Sequence, residues 1–446
     1  MKRALVVSLM IAAACGPSKR DDGNGDVDAA ADGSTGPYAT VTGRVWAPNQ
    51  GPGMVAPGQE IPIAGALVYI TTTAPEPIPD HVYCEQCVAT PQGGVLTGAD
   101  GSFSLDVEPG NYTLIIQKGQ FRIDQPIALS TGATALPPNM TTLPSKWDPA
   151  AGVYMPKVAM AQGTNDQIED ILAKLGFGTM SGNGFGSPVG DNGAKEIEIY
   201  SYSGTGPGTV TYLLQNMDEM RKYHIIFFPC AVSMSGINTL LTNQTVLANI
   251  RRYVQEGGKL YVTDWSGELA DRAFPHQIQL GDSGADSEGT YDPMTLTGTL
   301  TATGDADGSF YNLSDGKAVD QLLHDWLGLQ QGPTESGGFG MYNADAFEVT
   351  DLWNWIKKLN PVQIGTDMMG QPVYDTPKAW VLGTNPNDSG AVQKPIAVTY
   401  EPTGCGKVLY TAFQTANGEH QGLYPQERVL LYLIMEIQTC SDNPIF

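Results

Sequence analysis

The chain predicts a multidomain protein in which a β-sandwich is followed by an α/β unit on a parallel sheet with β-rich insertions. Three observations carry that expectation. Residues 38–130 fall into short alternating stretches separated by turn residues. From residue 156 onward, apolar strand-like runs alternate with segments of helical period. The 446 residues, 41% of them hydrophobic, are enough for two or three cores.

The chain opens with MKRALVVSLMIAAACG: a basic start at Lys2 and Arg3, an apolar run from Ala4 to Ala14, then Cys15. The run is too short to span a bilayer and closes in small residues, the pattern of an export signal. Small residues directly before a cysteine resemble the bacterial lipoprotein signal, with Ala12 standing where that family usually has leucine. The resemblance implies cleavage before Cys15 and acylation of its thiol, which anchors a protein without a spanning helix. Gly16 replaces the aspartate that resembles an inner-membrane retention signal, so the expectation is an outer-membrane lipoprotein of the cell envelope. Residues 1–15 are then signal and lipidation site. Residues 16–37 are a disordered acidic tether, poor in large apolar side chains. Their DDGNGDVDAAADG departs from a calcium loop at Val27, where glycine is needed, and at Gly33, where glutamate is needed.

The formal net charge is −23, and loss of Lys2 and Arg3 with the signal makes the mature chain more acidic still. Such a surface repels phosphate backbones, so nucleic acid is excluded as a partner. No cofactor is expected.

In residues 38–130, YATVTGRVW and IAGALVYITT read as strands, and GVLTGADGSFSLDVEPGNYTLIIQKG carries turns at Asp100-Gly101 and Pro109-Gly110. Phe103, Leu105 and Val107 share one face of a strand, and Tyr112, Leu114 and Ile116 one face of the next. Gly43, IAGALV at 63–68, Thr97, DGSF at 100–103 and PGNYTL at 109–114 together resemble the carboxypeptidase regulatory-like, prealbumin-type domain. That resemblance implies a spacer or binding module without catalysis. Residues 131–155, rich in threonine and proline, read as a linker.

From residue 156 to 446 the order is strand KVAMAQG, helix TNDQIEDILAKLG, strand EIEIYSY, helix VTYLLQNMDEMRKY, strand HIIFFPC, helix TVLANIRRYVQEGG and strand KLYVTD. A late strand GKVLYTAF and the helix QERVLLYLIMEIQTC close the unit. Residues 280–312 and 330–400 fit the alternation poorly and read as insertions: LTGTLTATG and IAVTYEP as strands, DLWNWIKKL as helix, DADG at 305–308 as a hairpin turn.

Six cysteines occur. Cys405 opens a strand and Cys440 ends the last helix, which predicts their disulfide. Cys84 and Cys87 either form a local disulfide, act as a redox pair, or join His81 as metal ligands. Cys230 is left over.

HIIFFPC, the helix ending EGG, KLYVTD and the late GKVLYTAF with its closing helix resemble the class I glutamine amidotransferase-like superfamily, including its ThuA-like branch. The resemblance implies a flavodoxin-like sheet and, after KLYV, a nucleophile elbow of the form small-x-Cys-x-Gly. Thr263-Asp264-Trp265-Ser266-Gly267 fits that frame with Trp265 at its centre, and indole is no nucleophile. Ser266 is one place out of register and is expected to cap the following helix, with Glu268 near its positive end. Where the family carries histidine after the late strand, this chain has Phe413-Gln414.

Two readings follow. In the first, a surface lipoprotein binds carbohydrate, peptide or a protein partner without chemistry, in a crevice at the carboxyl ends of the strands lined by Asn165, Asp166, Cys230, Asp264, Trp265 and Gln414. The same residues have a plainer account: Asn165 and Asp166 cap a helix, Asp264 satisfies backbone amides and Trp265 fills core. In the second, Cys230 is the nucleophile of a hydrolase with His420, beside Glu419, as base. A zinc hydrolase is disfavoured, because His81, His224, His276, His324 and His420 show no ligand spacing.

Overall fold

The computed structural model describes residues 38–85, 90–91, 93–162, 166–182, 184–188, 197–230, 239–281, 297, 310–367, 369–387, 390, 392–415 and 420–437. The export signal, Cys15, the tether, Asn165, Cys87, Glu419, Cys440, the DADG turn and nearly all of LTGTLTATG lie outside them.

Two sheets face each other at the N-terminal end. One has three strands, Ser102–Val107, Ala39–Arg44 and Gly132–Ala135, with Ala39–Arg44 in the middle. The other has five, in the order Val95–Leu96, Leu67–Thr71, Gly110–Lys118, Phe121–Leu129 and Val153–Tyr154. Period-2 alternation does what it should: Phe103, Leu105, Ala39 and Val41 are buried between the sheets while Ser102, Ser104 and Asp106 are exposed. At Asp100-Gly101 the glycine takes φ +76, and a Cβ there would sit 2.7 Å from the Val45 carbonyl oxygen. At Pro109-Gly110 the chain does not turn back on its own sheet but crosses to the other one. Residues 131–155 are not a linker. Gly132–Ala135 pairs parallel with Ala39–Arg44, and Val153–Tyr154 pairs with Arg122 and Ile123. Short, largely exposed edge strands carry no hydrophobic alternation, which is why composition alone reads them as linker.

The second unit is organised by a nine-stranded sheet. Its first five strands, Ile197–Tyr200, Val158–Ala161, Ile225–Phe228, Lys259–Thr263 and Lys407–Thr411, run parallel in that spatial order. The last four of these are buried at every position, as strands covered on both faces must be. Helices Ile168–Lys174, Gln244–Gln255 and Pro425–Ile437 fall where the 3.6-residue period placed them. The helix expected across VTYLLQNMDEMRKY breaks at Asn216, an extended residue whose Oδ1 accepts from Asp218 N at 3.1 Å and so starts a second short helix.

The remaining strands of that sheet, Gln393–Tyr400, Lys378–Thr384, Tyr311–Ala318 and Phe347–Leu352, continue it antiparallel. These residues are therefore not decorations. They extend the sheet and curl it, because Leu352 at the far edge returns to bridge Phe413, just beyond the Lys407–Thr411 strand. DLWNWIKKL is not helical: it supplies the end of Phe347–Leu352 and the strand Ile356–Leu359, with Asp351 at φ +58. Adjacent aromatic and β-branched residues favour the extended form there over a helix.

Sandwich and α/β unit share a continuous hydrophobic core and are stitched by polar contacts. Trp326 Nε1 donates to the Pro62 carbonyl (2.7 Å), Lys118 pairs with Glu436 (2.7 Å), and Gln50 Nε2 donates to the Lys174 carbonyl (2.7 Å). Among the described residues no helix is long and apolar enough to cross a membrane.

Candidate functional site

The carboxyl edge of the parallel strands is assembled by the turn after Lys259–Thr263. Asp264 takes the left-handed conformation, φ 48, and a single 3-10 turn then leads into helix Gly267–Ala273. Gly267 is required here, since a Cβ would lie 2.3 Å from the Tyr410 ring on the next strand. A strained strand-to-helix turn is thus present, but the strain falls on Asp264, one residue before Trp265.

Asp264 is fully buried. Its Oδ2 accepts from Gln414 Nε2 (2.9 Å) and from the backbone N–H of Trp353 (3.2 Å), and its Oδ1 is buried without a partner. Burial, reinforced by Asp166 and Asp351, pushes this carboxyl well above the usual range. Asp166 is also fully buried and is raised by burial; it accepts from Thr263 Oγ1 (2.5 Å) and from Thr415 N and Oγ1 (3.1 and 2.9 Å). It does not cap the helix after it, where no side-chain cap bond forms. The residue sits in the core instead, tying two loops across the top of the sheet.

Trp265 is half-buried. Its Nε1 donates to the Trp353 carbonyl (3.1 Å), its ring lies 5.7 Å from that of Trp353, and Phe310 stacks 5.0 Å beyond. Ser266 does not cap its helix; its Oγ donates to the Pro229 carbonyl at 2.7 Å. Cys230 follows the Ile225–Phe228 strand, is 1% exposed, and its backbone N–H donates to Thr263 Oγ1 (2.8 Å). Burial, with Asp264 and Asp166 close by, pushes its thiol far up, the opposite of an activated nucleophile.

Of the residues expected to line one crevice, Asp166, Cys230, Asp264, Trp265 and Gln414 do converge. Asp166, Cys230, Asp264 and Gln414 are buried in a packed network, joined by the Trp353 N–H donating to Asp264 Oδ2 and by the Asp351 carbonyl accepting from Gln414 N (3.3 Å). Sequence reasoning missed Trp353 and Asp351, and also Gln426, whose Nε2 donates to the Gln414 carbonyl (2.9 Å). Asp351 and Trp353 lie in DLWNWIKKL, which reads as a helix away from the strand ends, and Gln426 opens the last helix, whose apolar period marks its packing face and not a polar partner.

His420 is elsewhere. Its Nε2 lies 2.9 Å from Glu427 Oε1, its ring stacks on Tyr424 at 3.9 Å, and it makes no hydrogen bond to Cys230. It lines a cavity of about 360 Å³ between sandwich and α/β unit with Lys174 and Arg428.

Neither expected disulfide is seen. Cys405 bonds to Cys84 across 321 positions, Cα to Cα 5.4 Å, so Cys84 is neither joined to Cys87 nor free to bind metal. The Pro79–Cys84 segment is pinned to the α/β unit by Val82 N donating to the Arg221 carbonyl (2.9 Å) and by His224 Nε2 against the Pro79 carbonyl (2.8 Å). That docking brings Cys84 to Cys405. His81 is exposed beside Asp80 at 3.1 Å, and among the described residues no cluster of His, Cys, Asp and Glu could hold a metal ion.

No family model and no curated protein matches the chain. Solved structures give distant likenesses. A cytoplasmic protein from Salmonella typhimurium superposes with TM-score 0.28 at 10% identity over 62% of this chain and 98% of its own. A cold-adapted β-galactosidase from Rahnella sp. R3 gives 0.26 at 12% identity over 65% of this chain and 32% of its own. A catalytic mutant of a family 42 β-galactosidase from G. stearothermophilus gives 0.23 at 11% identity over 64% and 30%. The chain thus spans about a third of the length of either galactosidase.

Proposed function

We propose that this protein is a cell-envelope lipoprotein, held at the outer membrane through Cys15, that acts as a non-catalytic binding or scaffold protein for carbohydrate, peptide or a protein partner. Its α/β unit is a degenerate relative of the amidotransferase-like fold, and its sandwich is a spacer of the carboxypeptidase regulatory-like kind.

One observation carries the reading. The turn at Asp264-Trp265-Ser266 keeps the strain of a nucleophile elbow but presents indole at its centre, with Asp264 and Gln414 buried and bonded to each other and the Trp353 N–H donating to Asp264. General-base catalysis needs a titratable group in reach of a nucleophile; here the group in the histidine's place is an amide. The hydrolase alternative loses support, since Cys230 is buried and His420 is engaged by Glu427. The half-exposed rings of Trp265, Trp353 and Phe310 remain as a platform suited to a sugar face or an apolar side chain.

The test is to assay the purified ectodomain against amide and ester substrates. No turnover is expected; measurable hydrolysis that changes in Trp265→Ala would overturn the proposal.

A further inference from the structure

The seam between sandwich and α/β unit is a second place where function can reside, and nothing about it depends on the carboxyl edge. Its cavity of about 360 Å³ is lined from the sandwich side by Asn49, Gln50 and Gln59, and from the α/β side by Lys174, His420 and Arg428. That volume lies at the small end of ligand pockets, roughly 300–1,000 Å³, which suits a monosaccharide or a dipeptide.

Its charges are unusual for this chain. Arg428 is 2% exposed, yet among the described residues its guanidinium bonds to neutral acceptors, the Gln330 side-chain carbonyl, the Gln331 carbonyl (3.0 Å) and the Gln59 carbonyl (3.3 Å), with Tyr342 beside it. Its Nε is buried with no partner at all. The Lys174 ammonium, on the same cavity, makes no hydrogen bond or ion pair among the described residues, and burial pulls its pKa down. Glu427 and Asp170 act on Lys174, and Glu427 and Glu60 on Arg428, only from beyond ion-pair distance. Glu427, which acts on both, is already taken by His420 Nε2 (2.9 Å) and by Tyr424 N (2.9 Å). His420 Nδ1 is a further buried atom without a partner.

A buried guanidinium without a counter-ion is costly, by several kcal/mol in general. In a chain with 47 acidic and 24 basic residues, carboxylates were available to pair with it. Two cations with no ion-pair partner among the described residues, around one cavity and with side-chain amides on the facing wall, are the arrangement of a site whose counter-ion arrives with a ligand.

We propose that this seam cavity binds a small carboxylate-bearing molecule, its carboxylate held by Arg428 and Lys174 and its polar body by Asn49, Gln50 and Gln59. A sugar acid and the terminal carboxylate of a short peptide share that chemistry.

Calorimetric titration of the folded ectodomain with D-glucuronate, with alanylalanine and with uncharged glucose separates the sources. At least one carboxylate should bind ten-fold or more tightly than glucose, and which one names the ligand class. Lys174→Gln should weaken that binding about ten-fold, with the fold intact by circular dichroism; Arg428→Gln should abolish it if it folds. Equal binding of glucose and the carboxylates, no heat from either carboxylate, or unchanged affinity in Lys174→Gln overturns the proposal.

Discussion

Gln414 Nε2 donates to Asp264 Oδ2 at 2.9 Å, joining two loops 150 positions apart inside the core. The bond ties the turn that follows Lys259–Thr263 to the segment that follows Lys407–Thr411. The amide of Gln414 satisfies one oxygen of a buried carboxyl there.

Replacing Asp264 by Asn should leave the protein as stable or more stable above neutral pH. The amide oxygen still accepts from Gln414 and Trp353, and an ionisable group leaves the core. A carboxyl raised by folding contributes its full stability below its unfolded pKa and loses it as pH rises through the folded value. Urea unfolding at about pH 4 and about pH 8 should show a shallower pH slope in Asp264→Asn than in the native protein.

The same sign applies elsewhere. Burial pushes Asp375 up to about 6 and Glu169 up to about 7, so native stability should decline between about pH 4 and pH 7. In Asp375→Asn the decline should shrink by of order 2 kcal/mol. An unchanged slope would show that Asp375 ionises in the fold as it does in the unfolded chain.

Cys230 should resist alkylation at neutral pH in the folded ectodomain and react only after denaturation, because its thiol is buried and its pKa raised. Peptide mass mapping reads this directly. Rapid labelling of Cys230 alone would revive the hydrolase reading.

Non-reducing peptide mapping should recover Cys84 joined to Cys405. Cys405→Ser should cost about 3–5 kcal/mol in equilibrium unfolding, since the bond closes a very long loop in the unfolded chain. It should also free the Pro79–Cys84 segment to proteolysis first, as the bond ties that segment to the α/β unit.

Trp265→Cys places a thiol at the elbow centre and should still give no hydrolysis of amides or esters. Gln414 offers no base, and the neighbouring Asp264 carboxyl is buried and bonded to Gln414 and to the Trp353 N–H. Loss of the stacked indole should destabilise the fold by about 2–4 kcal/mol.

Strand order along the chain was legible where burial is two-sided. The runs that became Val158–Ala161, Ile225–Phe228, Lys259–Thr263 and Lys407–Thr411 are apolar throughout, because both faces of those strands are covered. The turn at Gly101 was legible as well, since only glycine tolerates its φ at no cost. The convergence of Asp166, Cys230, Asp264, Trp265 and Gln414 followed from placing strand ends on one edge. The strands at Gly132–Ala135 and Val153–Tyr154 were not legible, nor was the break at Asn216, because exposed edges and single caps leave no periodic trace.

By itself, then, the sequence determined the elements whose signal is local: apolar runs, glycine turns, and the helices marked by a 3.6-residue period. Tertiary structure alone decided that Cys84 finds Cys405, that the Trp353 N–H meets Asp264, and that Arg428 and Lys174 share a cavity with the sandwich. Those relationships join residues far apart in the chain, and which distant groups meet is settled by how whole layers pack together, not by any pattern within one segment.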